Sequence, residues 1–103
     1  LDLIIDINKF LSICKLKNIR KAILFGSRAN GKAHSKSDYD LIIIYETDKS
    51  FFQRYDDFEE LYPIFENYLD LLPYTPKEWE KIKHRKFISR IIAEGKILYE
   101  KKS

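Results

Sequence analysis

Asp38 and Asp40 stand two residues apart at the head of an apolar run, Leu41-Ile42-Ile43-Ile44-Tyr45. If that run is a strand, the side-chain period of two sends both carboxylates to one face. Two anions so placed repel unless a cation joins them. Mg²⁺ is the natural one, because it takes hard oxygen ligands and completes its shell with water and substrate phosphate. An Asp-x-Asp alone is a weak signal, since aspartate is common where a loop enters a strand. Its weight comes from Gly26-Ser27, which follow the apolar run Ile23-Leu24-Phe25. A glycine ending one strand and a serine opening a helical turn offer backbone N–H groups and a hydroxyl to an anion. By itself that pair is an ordinary capped turn. Both features border the same polar connection, Gly26 to Asp40, so a phosphate at Ser27 would lie within reach of a metal at Asp38 and Asp40.

A third carboxylate, Asp70, sits between Leu69 and Leu71 in the stretch Asn67 to Thr75. Burying it there would be costly unless it were paired or bound to metal. If its strand lies beside the one after Asp40, Asp70 completes a three-carboxylate cluster suited to two-metal phosphoryl transfer, and would help remove the acceptor's proton. The plainer alternative has Asp70 pointing outward from a half-exposed strand, and alternation leaves both open. Arg28, Lys32 and Lys36 lie in the same connection and would either neutralise phosphate or form a solvated loop. His34 and His84 have no spacing that suggests a metal site and read as structural or exposed.

The elements that must position these groups follow from periodicity. Leu3, Ile4, Ile7, Phe10, Leu11 and Cys14 recur at helical spacing, giving a helix over 2–17 with Asn18 as its stop. Cys14, the only cysteine, falls in that stripe as a buried structural residue. Strands are expected at 19–25 and 39–45, the second central and covered on both faces, with a short helix over 27–32 between them. Aromatic residues at helical spacing predict a helix over 51–65, broken or kinked by Pro63. A third strand over 67–75 precedes Thr75-Pro76-Lys77-Glu78, a helix start with a capping box. From there one apolar stripe, Trp79 and Ile82 then Phe87, Ile88, Ile91 and Ile92, runs to Gly95, and residues 96–100 form a last strand or tail. The short link between the first two strands makes them antiparallel. The fold class is thus α/β (α+β), a mixed sheet flanked by helices in one domain, 1–103.

Composition excludes several classes. With 45% hydrophobic and 34% charged residues the chain is ordered rather than disordered. No apolar run reaches the roughly 20 residues that span a bilayer, and the N-terminus has no signal-peptide pattern, so a cytoplasmic location is expected. One cysteine excludes an internal disulfide. The net charge of +3 is a weak pointer to nucleic acid, because cations and anions are interleaved except at Lys81 to Lys86 and Asp56 to Glu60, both of which read as solvated helix faces.

Gly26-Ser27, ten intervening residues, then Asp38-Tyr39-Asp40 resembles the G-S-x10-D-x-D signature of the DNA polymerase beta-like nucleotidyltransferases, in particular the minimal nucleotidyltransferase (MNT) domains. The flanking ILF and LIII and the segment LDLLPYTP match that family's strands and third-aspartate region. The resemblance implies transfer of a nucleoside monophosphate, AMP from ATP, with Asp38, Asp40 and Asp70 catalytic and holding Mg²⁺, and Gly26 and Ser27 on the nucleotide; Arg28 is expected there with them by its proximity in the same connection. A chain this short is expected to have no room for an acceptor-gripping domain. The resemblance points to a HEPN-family toxin as partner and acceptor, which would make the chain an antitoxin. Homo- and hetero-oligomers are both open. The rival is a non-catalytic module that blocks its partner by contact, for which the aromatic segment would be the surface. A nucleic-acid end-adding enzyme ranks last, since no continuous basic track with stacking aromatics is present.

Overall fold

The computed structural model describes residues 5–34 and 37–102. The first helix turn expected at residues 2–4, and Lys36, lie outside that range. Asp6 starts α1 (Ile7–Leu16), its carboxylate accepting from the Lys9 backbone N–H at 3.1 Å, and Asn18, in the left-handed region at φ 56°, stops it. Then come β1 (Lys21–Phe25), a single helical turn α2 (Ser27–Asn30) and β2 (Tyr39–Ile44). A 3-10 stretch (Phe52–Phe58) and α3 (Leu61–Ile64) lead to β3 (Leu69–Tyr74), α4 (Pro76–Ile82), α5 (Lys86–Glu94) and β4 (Lys96–Glu100).

The strands form one mixed sheet in the order β3-β2-β1-β4. β1 pairs antiparallel with β2 and β4, and β2 pairs parallel with β3. The fold is therefore α+β with a mixed sheet, as expected. β2 is central, and Leu41, Ile42 and Ile43 are wholly buried because helices cover both faces. On one face Phe10 and Cys14 of α1, with Phe58, Leu61 and Phe65, pack on Ala22, Leu24, Leu41 and Ile43. On the other, Trp79 of α4 and Ile88 and Ile91 of α5 pack on Ile23, Ile42 and Ile44. Burial pushes the Cys14 thiol up to about 12, which suits an inert core residue.

Two expected helices divide. The segment over 51–65 is a 3-10 stretch followed by one α-turn. Pro63 lacks an N–H, and beginning α3 at Leu61 places it in a first turn, where no intrahelical donor is required. Arg54 holds the stretch down, and Phe58 and Phe65 enter the core while Phe52 stays exposed. The expected helix from Pro76 to Gly95 breaks at residues 83–85. Trp79 and Ile88 are nine residues apart, about two and a half turns, so a straight helix would turn them to opposite sides. Both reach the same sheet face only because the chain is extended at Arg85 (ψ 143°).

Candidate active site

Each carboxylate of the expected set is carried by a different part of the β2–β3 pair. Alternation along β2 puts Tyr39, Leu41 and Ile43 on the α1 side and Asp40, Ile42 and Ile44 on the α4–α5 side. Asp70 shares that second side with Leu72 and Tyr74, and the parallel register sets Asp40 directly against Asp70. Neighbouring strands lie roughly 4.8 Å apart, so the two side chains leave the sheet side by side. Asp38 precedes β2 by one residue and is exposed, as is Asp70; Asp40 is half-buried. Burial first, then the charges of Asp70 and Asp38, hold the Asp40 carboxyl above the usual carboxylate range. Three negative charges therefore converge on one corner of the sheet.

Gly26 closes that corner. Its backbone (φ 74°, ψ −157°) lies in a region that is essentially glycine-only, and a Cβ there would run into the Asp40 carboxylate. Glycine is required twice, once for the turn and once for the approach of the backbone to Asp40. It is also the N-cap of α2, and Ser27 is the first helical residue. The first intrahelical bonds run from the Ala29 and Asn30 N–H groups to the Gly26 carbonyl, at 3.0 and 3.2 Å. A Gly26→Ala change is expected to destabilise the fold by about 1–3 kcal/mol and to displace Asp40. Chemical denaturation of the variant, compared with wild type, checks the first effect, and titration with Mg²⁺ and ATP the second.

Arg28 points back into its own connection. Its Nε and one terminal nitrogen donate to the Ser37 carbonyl at 3.2 and 2.9 Å, and the guanidinium lies 4.3 Å from the centre of the Tyr39 ring. It thus straps the residues on either side of Asp38 to α2. Lys32 is exposed and makes its backbone bond to Ser27. His34 and His84 are both exposed. In the acidic segment, Asp57 accepts from the Tyr45 hydroxyl and pairs with Lys49, and Glu60 pairs with Lys17, so two of its charges serve internal contacts.

The donor set fits a hard divalent cation. Among the described residues, no three His, Cys, Asp or Glu side chains are gathered closely enough to hold a metal ion, so Asp38, Asp40 and Asp70 do not form a ready three-ligand set. Mg²⁺ does not require a cage, since it commonly binds one or two carboxylates and fills its shell with water and phosphate oxygen. Crowded carboxylates open to solvent on one side match that habit.

A cleft of about 330 Å³ opens beside Asp40, which lines it with Phe25 and Gly26 and with Phe87, Arg90, Ile91 and Glu94 of α5. None of the four α5 residues was singled out as a site from sequence, because Phe87 and Ile91 read as one continuous core stripe. A larger hollow of about 420 Å³ lies at the far end of the same face, lined by Arg20, Lys83 and Trp79 among others, and is remote from Asp40 and Asp70.

Residues 7–103 match the family described as polymerase beta, nucleotidyltransferase. No curated protein matches the chain. Among solved structures, a toxin–antitoxin with AMP-PNP is similar at 18% identity and a TM-score of 0.65, over 94% of this chain and 75% of that one. The toxin–antitoxin MntA-HepT is similar at 15% identity and a TM-score of 0.55, over 92% and 70%. A tri-AMPylated Shewanella oneidensis HEPN toxin in complex with an MNT antitoxin gives 15% identity and a TM-score of 0.56, again over 92% and 70%. At such identities the likeness is one of fold.

Proposed function

The chain belongs to the polymerase beta nucleotidyltransferase family, and from that premise we propose that it transfers AMP from ATP, with Mg²⁺, to a hydroxyl of a HEPN-type toxin and so acts as an antitoxin. The observation that carries this reading is the in-register pairing of Asp40 with Asp70 against the glycine-only corner at Gly26. Gly26 lets phosphates approach Asp40 without a side chain between them, and the Ser27 hydroxyl would donate to a phosphate oxygen. Asp38, Asp40 and Asp70 would hold Mg²⁺, which when bound would neutralise the phosphates and the charge that builds up during transfer. In the reaction the acceptor oxygen bonds to the α-phosphorus, the bond from that phosphorus to the bridging oxygen breaks, and pyrophosphate leaves. The acceptor's proton passes to the Asp70 carboxylate. Asp70 is exposed on an edge strand, which leaves an approach for a macromolecular acceptor.

Arg28 acts in this scheme by holding the Asp38 segment through Ser37 and Tyr39. The partner assignment is supported by the resemblance to minimal nucleotidyltransferases and by structural neighbours that are toxin–antitoxin pairs, one with an AMPylated HEPN toxin. The chain is expected to act in the cytoplasm, as a single domain over 1–103. Intact-mass measurement of a co-purified HEPN partner tests the proposal: an added AMP on the partner, dependent on Mg²⁺ and ATP, is expected. Undiminished neutralisation by a variant with both Asp38→Asn and Asp40→Asn would instead assign the effect to contact alone.

A further inference from the structure

Resting on the nucleotidyltransferase reading, we propose that Phe87 is the platform on which the base of the nucleotide stacks, in the cleft between α5 and the Gly26–Asp40 corner. Phe87, Arg90, Ile91 and Glu94 are spaced by three, four and seven residues and so share one face of α5, the face that lines the cleft. The helix is fixed in place. Ile88 and Ile91 are buried under the sheet, and at Gly95 a Cβ would come within 2.6 Å of the Ile91 carbonyl oxygen and 3.0 Å of the Leu24 carbonyl oxygen. Phe87 is carried by this anchored helix yet is 66% exposed, so its ring adds little to the core. Exposure alone does not mark Phe87, since Leu16 and Phe52 are barer still; its place on the wall of a cleft shared with Gly26 and Asp40 does.

The chemistry of the opposite wall says what the ring is for. Phosphates held at Gly26 and Ser27 leave the nucleoside end of the molecule to be placed, and the α5 wall is the aromatic one. A volume of about 330 Å³ suits a nucleoside and is too small for a folded partner. Arg90 and Glu94 pair only loosely, at 3.8 Å, and both are mostly exposed, so either can turn to the polar edge of a base or ribose. Stacking uses the face that every base presents, so this platform selects for a nucleoside over bare phosphate while discriminating little between bases.

Titration calorimetry of the whole chain with Mg²⁺, using ATP and inorganic tripolyphosphate as separate probes, tests the platform. Phe87→Ala is expected to weaken ATP by about 5- to 150-fold and leave tripolyphosphate unchanged. Phe87→Trp is expected to retain ATP. An alanine variant that binds ATP as tightly as wild type, or that loses both probes equally, overturns the platform while the nucleotidyltransferase reading stands. Failure of the wild-type chain to bind either probe removes that reading, and the platform with it.

Discussion

Replacing Asp40 by Asn is expected to reduce nucleotidyl transfer by about 10³-fold or more, roughly 4 kcal/mol of barrier, without lowering the stability of the metal-free protein. Asn keeps the shape of the side chain and removes its charge. In the absence of a cation that charge is a burden: it is half-buried, and Asp70 and Asp38 repel it. Its carboxyl is raised above its ordinary value, so its contribution to stability is full below that value and is lost as pH rises through the folded one. At neutral pH the variant should melt no lower than wild type without divalent ions. Added Mg²⁺ should raise the melting temperature of wild type and not of the variant, since only a ligand that binds the native state stabilises it. Rates of label transfer from ATP, with melting curves in parallel, decide the matter. A variant within about tenfold of wild-type rate would remove Asp40 from the reaction.

Glu78→Ala should be the most destabilising single change outside the hydrophobic core, at about 4 kcal/mol, and Arg54→Met clearly milder. Arg54 is 5% exposed and is the sole polar or charged residue among the described ones to be so buried. It donates to the Lys49 carbonyl at 3.0 Å, to the Pro73 carbonyl at 3.0 Å and to both Glu78 carboxylate oxygens at 2.6 and 3.0 Å. Glu78 also accepts from the Thr75 N–H at 2.9 Å, closing the capping box of α4. Removing Glu78 takes the charged partner from a buried guanidinium and breaks the Thr75 N–H half of the capping box, while the Thr75 hydroxyl keeps its bond to the backbone of residue 78. Removing Arg54 instead leaves Glu78, 42% exposed in its side chain, free to turn to water. Urea denaturation at neutral pH should therefore rank the two variants in that order, and the reverse order would show that the strap is held by the carbonyls. Arg54 bonding, above all, lowers the Glu78 carboxyl from its ordinary value. Its contribution is present above the unfolded value and lost as pH falls through the lowered one, so the gap between wild type and Glu78→Ala should narrow in acid.

Much of the candidate site could be read from the chain because its parts are local. Gly26, Ser27, Asp38 and Asp40 sit at fixed spacing between two apolar runs, and a strand period fixes the side on which Asp40 points. Asp70 could not be settled that way. Its strand alternates equally well in either sense, and only the parallel register with β2 decides that it stands against Asp40. The cleft wall was hidden for a related reason. Phe87 is adjacent to the buried Ile88, so a stripe read from periodicity absorbed it, and the break at residues 83–85 that turns it outward depends on fitting two helices to one sheet face. That break did leave a trace, in the half-integral number of turns from Trp79 to Ile88. The Arg54 strap left none, since Pro73 and Glu78, the partners that tie it to other elements, lie 19 and 24 residues away.

The parallel pairing of β2 with β3 also sets an order of events in folding. Asp40 and Asp70 are thirty positions apart, and a parallel partner cannot be reached by a hairpin, so the segment between them must collapse before the two strands zip together. The antiparallel β1–β2 pair, by contrast, closes across a short link and can form early. On this order the Gly26–Ser27 turn, proposed to meet the phosphates, would be set in place ahead of the Asp40–Asp70 pair.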